Sequence, residues 1–312
     1  MDSSNAFDVT VMTPTFNRAH TLPRTYASLQ EQTFRNFEWI VIDDGSTDNT
    51  PELIERWRAH CVFPICYVRQ ENLGKHVARD RAITMARGRF FVGLDSDDWL
   101  LPATLQRLFE VWDTIPGERR EHFLGVAGRC ALPDGTKIGT DLPSHFLDSE
   151  EIELRWRFRI TGDNAGMSRV EILRAFPTPS FEGERFVTEA VVQNRIAQQY
   201  KTRYFDEIIM FRDYQEGGLT AQSRLIRMDS ISASMLYYGE LLAVSDRLAP
   251  RARLRASANF TRYALHLGRP LWRTRSGTGM WTWLASLPAA VLLWAGDRRL
   301  ARKAARSSGR QH

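Results

Sequence analysis

Arg89-Phe90-Phe91-Val92-Gly93-Leu94-Asp95-Ser96-Asp97-Asp98 decides the reading of this chain: a short β-like run stops at three carboxylates in four residues. Like charges crowded at a strand end repel one another, and burying them unpaired is costly. A divalent cation removes both problems, because hard oxygen donors suit Mg²⁺ or Mn²⁺. An ion held by one or two carboxylates usually takes phosphates as its other ligands. The cluster therefore points to an enzyme that handles a nucleotide diphosphate. The plain alternative is a solvated acidic turn before a helix, with Asp98 as a cap.

Outward from this stretch, the chain alternates strand and helix. Asp8-Val9-Thr10-Val11-Met12 reads as a first strand ended by Pro14, and Leu22 to Gln30 as a helix. Trp39-Ile40-Val41-Ile42 is a continuous apolar run, as expected of a buried parallel strand, and it stops at Asp43-Asp44-Gly45-Ser46. Thr50-Pro51-Glu52 opens the next helix, with Thr50 as N-cap and Pro51 at the first helical position. Ile65 to Arg69 is a third strand, Lys75 to Ala86 a helix, and Phe90 to Leu94 a fourth strand. Such alternation gives βαβ units and an α/β fold with a doubly wound sheet. Ligands on these sheets bind beyond the carboxyl ends of the strands, where both acidic clusters lie. A helix follows from about Ala103 to Trp112, then short strands, loops and helices to about Tyr214, and a helical pattern from Ile226.

The bulk properties fit one catalytic domain plus an extension, here divided as 1–225 and 226–312 of 312 residues. An apolar content of 43% supports a substantial core. Cys61, Cys66 and Cys130 are an odd number at no metal-ligand spacing, which fits thiols in a reducing cytoplasm. The first five residues are polar and carry no signal-peptide pattern. The net charge of +5 hides an asymmetry: residues 247–312 hold fourteen Lys/Arg against one acid, Asp297, which leaves +13 there and −8 on the rest. A basic tail on an acidic body implies an anionic partner surface, membrane or nucleic acid.

In motif order and spacing the chain resembles the family-2 nucleotide-sugar glycosyltransferases of the GT-A fold. The matching residues are Thr13-Pro14-Thr15-Phe16-Asn17-Arg18, Val41-Ile42-Asp43-Asp44-Gly45-Ser46-Thr47-Asp48, Glu71-Asn72-Leu73-Gly74-Lys75 with Ala78-Arg79, and Leu94-Asp95-Ser96-Asp97-Asp98 with Pro102. Any one motif is weak; the four together are specific. The resemblance implies that Asp44 accepts the imide N–H of uracil, so a UDP-sugar donor is expected. It implies that Pro14 and Thr15, with Asn17, wall the nucleotide, and that Lys75 and Arg79 face the diphosphate, where a planar donor fork suits phosphate oxygens. Asp97 takes the metal position, Asp95 binds ribose or donor sugar, and Ser96 and Asp98 support the site. Mn²⁺ or Mg²⁺ is the implied cofactor. Each of these residues also has an ordinary structural role open to it: strand termination for Pro14, an Asx-turn for Asp44, and a solvated helix face for Arg79.

The resemblance places the catalytic base at an acidic residue six positions before an Arg. Glu189 stands six before Arg195, preceded by Thr188 where relatives carry an acid, and Glu184 is its rival. A carboxylate is the right chemistry for deprotonating an acceptor hydroxyl. Asp163-Asn164-Ala165-Gly166-Met167 and the stretch 212–220 would line the acceptor side. The Gln-x-x-Arg-Trp pattern of processive members is absent, since Ile152-Glu153-Leu154-Arg155-Trp156 lacks the Gln. A non-processive, inverting enzyme acting on a glycan or lipid-linked acceptor is expected. Competing classes are an Asp-x-Asp phosphatase, which Trp99 disfavours, a nucleotidyltransferase, and a sugar-binding scaffold without activity.

The segment Trp281 to Gly296 is apolar and Trp-rich, contains Pro288, and is short for a membrane span. Trp272, Trp281, Trp283 and Trp294, with arginines at 273, 275, 298, 299 and 302, suit an anionic lipid interface at the cytoplasmic face of a membrane. A helical subdomain packed on the catalytic domain is the equal alternative. Nucleic acid is not expected, because the apolar block has no use there.

Overall fold

The structure is a computed structural model that describes residues 6–214, 223–275 and 277–308. The chain forms two compact units: Met1–Thr178 with Arg195–Ala221, and Pro179–Asn194 with Gln222–His312.

The first unit begins with β1 (Phe7–Thr15), α1 (Leu22–Gln30), β2 (Phe37–Asp43), α2 (Thr50–Arg58), β3 (Ile65–Arg69), α3 (Lys75–Met85) and β4 (Gly88–Gly93). These four strands are parallel, in the order β3-β2-β1-β4. The order reverses beside β1, as in any doubly wound sheet. Every residue of β2 is buried, which explains its unbroken apolar run. Glu38 interrupts the apolar residues within the strand; its buried carboxylate accepts from Thr10 Oγ1 at 2.7 Å and from the Arg87 backbone N–H and Nε at 2.7 and 2.8 Å. The core is aromatic, with Trp39, Phe37, Phe90 and Trp112 fully buried and Tyr26 stacked on Trp57 at 4.3 Å between centroids. Asn49, rather than Thr50, occupies the N-cap of α2, so Thr50 rather than Pro51 is the first helical residue.

The second half of this unit departs from the βα alternation. It comprises β5 (Trp99–Leu100), α4 (Thr104–Asp113), β6 (Phe123–Ala131), β7 (Phe146–Ser149), α5 (Glu151–Trp156), β8 (Asn164–Arg169), α6 (Val170–Ala175), α7 (Ala190–Ile196), which runs across the unit boundary, and β9 (Lys201–Phe211). β8 adds antiparallel to β4, and β6, β9 and β5 follow, completing a mixed nine-stranded sheet with β7 on β9. Arg129 on β6 is fully buried and donates to the carbonyls of Thr140 and Thr161 and to Asn164, tying the loops of this half together.

The second unit is helical: α8 (Ser223–Asp229), α9 (Ile231–Ala243), α10 (Pro250–His266) and α11 (Met280–Ser308). Residues 179–194, placed with the first domain by sequence, group here. Val187 and Val191 pack with Ala233, Leu236 and Tyr237. α10 lies against α9 and α11. Asp297, the one acid of the basic tail, is fully buried on α11; Arg262 of α10 donates to it at 2.7 Å, and His266 lies 3.1 Å away. An unpaired carboxylate there would be prohibitive, so the pair fixes the register of the two helices. α11 runs through Pro288, because buried Ser286, Ala290 and Asp297 hold it against α10 on both sides of the one lost backbone bond. Among the described residues, no helix is long and apolar enough to cross a membrane.

Candidate active site

The site lies in the first unit, at the carboxyl edge of β1, β2 and β4. β1 runs between the other two, with Thr15 opposite Asp43 and Met12 opposite Gly93. Backbone bonds continue past the strands, from Asp44 N–H to Thr15 and from Leu94 N–H to Met12. Both acidic clusters therefore leave the sheet side by side.

Asp43 and Asp44 organise the first loop. Asp43 Oδ1 accepts from Ser46 N–H at 2.8 Å and its Oδ2 from Tyr67 Oη at 2.6 Å. Burial, and then that bond, pushes the Tyr67 phenol well above its usual range. Asp44 Oδ1 accepts from Leu73 N–H at 2.9 Å and from Gln70 Nε2 at 2.8 Å, and its Oδ2 from Gly74 N–H at 2.8 Å. Of the roughly four lone-pair sites of a carboxylate, three are engaged. Gly45 and Gly74 both take positive φ, so each turn closes where a side chain would be strained. Asn17, expected beside the nucleotide, staples two loops. It adopts φ 55°, and its Oδ1 accepts from Thr47 N–H at 2.7 Å, while its own N–H donates to Ser46 Oγ at 2.9 Å. Pro14 is half-buried beside this staple in sequence, and Thr15 is buried.

The second cluster holds the charge. Lys75 Nζ, at the start of α3, forms an ion pair with Asp95 at 2.8 Å. Arg212, just past β9, places its guanidinium 3.6 Å from Asp98, 3.8 Å from Asp95 and 3.6 Å from Asp163, to which Tyr214 Oη donates at 2.9 Å. Sequence reasoning assigned the stretches around Asp163 and Arg212 to the acceptor side; the fold brings them onto the Asp95–Asp98 cluster itself, while residues 215–220 lie outside the described residues. Arg24 of α1 was not singled out in the sequence. It donates to the Asp97 carbonyl at 2.7 Å, pairs with Asp213 at 2.8 Å, and lies 3.9 Å over the Trp99 ring. No local pattern marks it, since its partners lie 73 and 189 residues away. Ser96 is buried, and its carbonyl accepts from Thr25 Oγ1 at 3.2 Å, a positioning role. Arg79 is largely buried, beside Asp80 and 5.9 Å from the Phe91 ring centroid.

Burial works against ionisation of Asp95, but Lys75 and Arg212 outweigh it and hold its pKa below the usual value. Burial and then the Asp95 charge raise Asp97. The same two effects push Asp98 to about 8, against the pull of Arg212. Asp98 Oδ2 is buried with no hydrogen-bond partner. Such a site is short of positive charge, and a hard cation on Asp97 fits it. Among the described residues no three His, Cys, Asp or Glu side chains form a ready-made metal cage. An ion there would complete its shell from outside the protein, as a diphosphate allows.

The two candidate bases belong to the second unit. Glu184 accepts from the Ser232 and Ala233 N–H groups at 2.7 and 2.9 Å, capping the N-terminus of α9. Its carboxylate thus has a structural role at the start of α9. Glu189 is half-buried, immediately before α7.

The fold is the GT-A fold. Residues 10–118 match the model of glycosyl transferase family 2. It is 25% identical over 228 residues to the GalNAc(5)-diNAcBac-PP-undecaprenol beta-1,3-glucosyltransferase of Campylobacter jejuni, covering 72% of this chain and 67% of that one. Curated relatives of 30–36% identity are matched over less than half of their own length. Among solved structures, S. aureus TarS 1–349 in complex with UDP superposes with a TM-score of 0.54 at 16% identity, over 94% of this chain and 91% of that one. The mannosyltransferase PcManGT of Pyrobaculum calidifontis in complex with GDP-Man and Mn²⁺ gives 0.53 at 22%, over 96% and 82%.

Proposed function

We propose that the chain transfers a sugar from a nucleotide-diphosphate donor, a UDP-sugar, to a hydroxyl of a glycan or lipid-linked acceptor in cell-envelope synthesis, on the cytoplasmic side. What supports this is the meeting of the Asp43-Asp44 loop and the Asp95–Asp98 cluster at one sheet edge, with a buried carboxylate oxygen of Asp98 left without a hydrogen bond. The remaining Asp44 lone pair takes the base N–H, and Pro14 and Thr15 form the adjoining wall. Asp97 would hold Mn²⁺ or Mg²⁺, which supplies charge neutralisation on the departing diphosphate. Lys75 and Arg212 fix Asp95 in the ionised state, ready to accept hydrogen bonds from ribose or sugar hydroxyls. Glu189 removes the acceptor proton as that oxygen attacks the anomeric carbon and the bond to the diphosphate oxygen breaks. One displacement with one base inverts the anomeric centre. Transfer is non-processive: Arg155, in the stretch nearest to the processive motif, pairs with Glu151 at 2.7 Å and donates to the Gly162 carbonyl.

The test is nucleotide release from purified protein against a panel of UDP- and GDP-sugars with Mn²⁺ or Mg²⁺. Turnover with one UDP-sugar is expected. Release of inorganic phosphate from a simple phosphomonoester, with none of the sugars used, would move the chain to the phosphatase class.

A further inference from the structure

We propose that the outward face of α11 is a membrane-docking surface that lies in the interface of an anionic bilayer. The helix buries one side, where Ser286 meets Ser257 at 2.9 Å and Ala290 and Asp297 are fully covered. At 100° per residue the opposite side carries Trp281, Leu284, Pro288, Val291 and Leu292. Trp281 is 83% exposed and Leu292 74%. Soluble surfaces scatter such residues singly; a contiguous apolar stripe on one helix marks an interaction site.

The ends of the stripe identify the occupant. Arg273 and Arg275 precede it and Arg298 and Arg299 follow it, all exposed, with Trp272 exposed at the same end as the first pair. Cations at both ends exclude an efficient self-pairing: antiparallel or parallel, a second copy would set arginines against arginines. Anionic lipid headgroups complement both ends while the stripe sinks into the acyl boundary and tryptophan sits at headgroup depth. The apolar segment of sixteen residues spans about 24 Å at helical rise, short of a ~30 Å hydrocarbon core, so the helix lies along the surface rather than across it. Residues 247–312, at +13, add long-range attraction.

The experiment is vesicle co-sedimentation of the full chain, without donor or acceptor, so its result does not depend on the transfer reaction. Binding to phosphatidylglycerol-containing vesicles is expected, with little to neutral phosphatidylcholine, and weaker binding as NaCl rises from about 0.1 to about 0.5 M. Trp281→Asp and Leu292→Asp should each weaken binding about tenfold or more with thermal unfolding unchanged, because both side chains touch solvent. The inference fails if the chain stays in the supernatant with anionic vesicles at low salt, or if both variants bind like the parent. It fails equally if the variants unfold at lower temperature, which would make the face part of the folded core. A dimer in light scattering that the same substitutions abolish would assign the stripe to a second copy instead.

Discussion

Replacing Glu184 by alanine should loosen the helical unit and leave the chemistry nearly intact. The carboxylate bridges the first turn of α9 through two backbone N–H groups at 2.7 and 2.9 Å. Bonds to an ionised acceptor contribute about 1.5–3 kcal/mol each when well buried, and N-caps as a class about 0.5–2 kcal/mol. Glu184 is half-buried, and water replaces part of what is lost, so about 2 kcal/mol is the expected cost. That corresponds to a fall in Tm of roughly 3 °C for a chain of this size. Glu184→Gln keeps one acceptor oxygen and should lose about half as much. Calorimetry gives the first readout, and donor turnover at about 25 °C, well below the transition, gives the second. Glu189→Gln should leave donor affinity nearly intact and lower kcat by about two to four orders of magnitude. If Glu184→Ala keeps its Tm and loses kcat a hundredfold, the cap is unimportant and Glu184 is the base.

Asp97→Ala should abolish turnover and weaken donor binding, and EDTA-treated wild type should behave alike; undiminished transfer after EDTA would remove Asp97 from the metal role. The raised pKa of Asp98 carries a sign: its contribution to stability is full below the unfolded carboxylate pKa and is lost as pH rises through about 8. Asp98→Asn should therefore raise the Tm of metal-free protein by an amount that grows from pH 5 to pH 8 and then levels; a pH-independent difference would show that Asp98 is ionised throughout. The product's anomeric configuration, read by NMR, should be opposite to the donor's, and retention would sink the one-base mechanism.

Much of the catalytic half was legible because its signals are local. The apolar runs at Trp39–Ile42 and Phe90–Leu94, each stopped by acids, mark buried parallel strands whose ends must sit at one edge. The helix Leu22–Gln30 and the strand Ile65–Arg69 fall where the sequence puts them. Asp95 and Asp97 could be singled out because crowded carboxylates are improbable without a task.

The mixed second half of the sheet was not legible. β8 inserts between β4 and β6, and β9 pairs with three other strands, choices made by partners far along the chain. Spacing favoured Glu189 over Glu184, and only the position of α9 shows that Glu184 also caps a helix. Arg24 and Arg212 gain their meaning from charges brought close by folding. The loop-closing bonds of the Asn17 amide, to residues some thirty positions away, carry no local signal either. The sequence alone thus determined the strand ends and the charge they carry, because strand patterning and like-charge crowding are local. The tertiary structure decided which charges are paired, which are left uncompensated, and which face of α11 remains open, because burial and Coulomb interactions depend on distances in space that separation along the chain does not set.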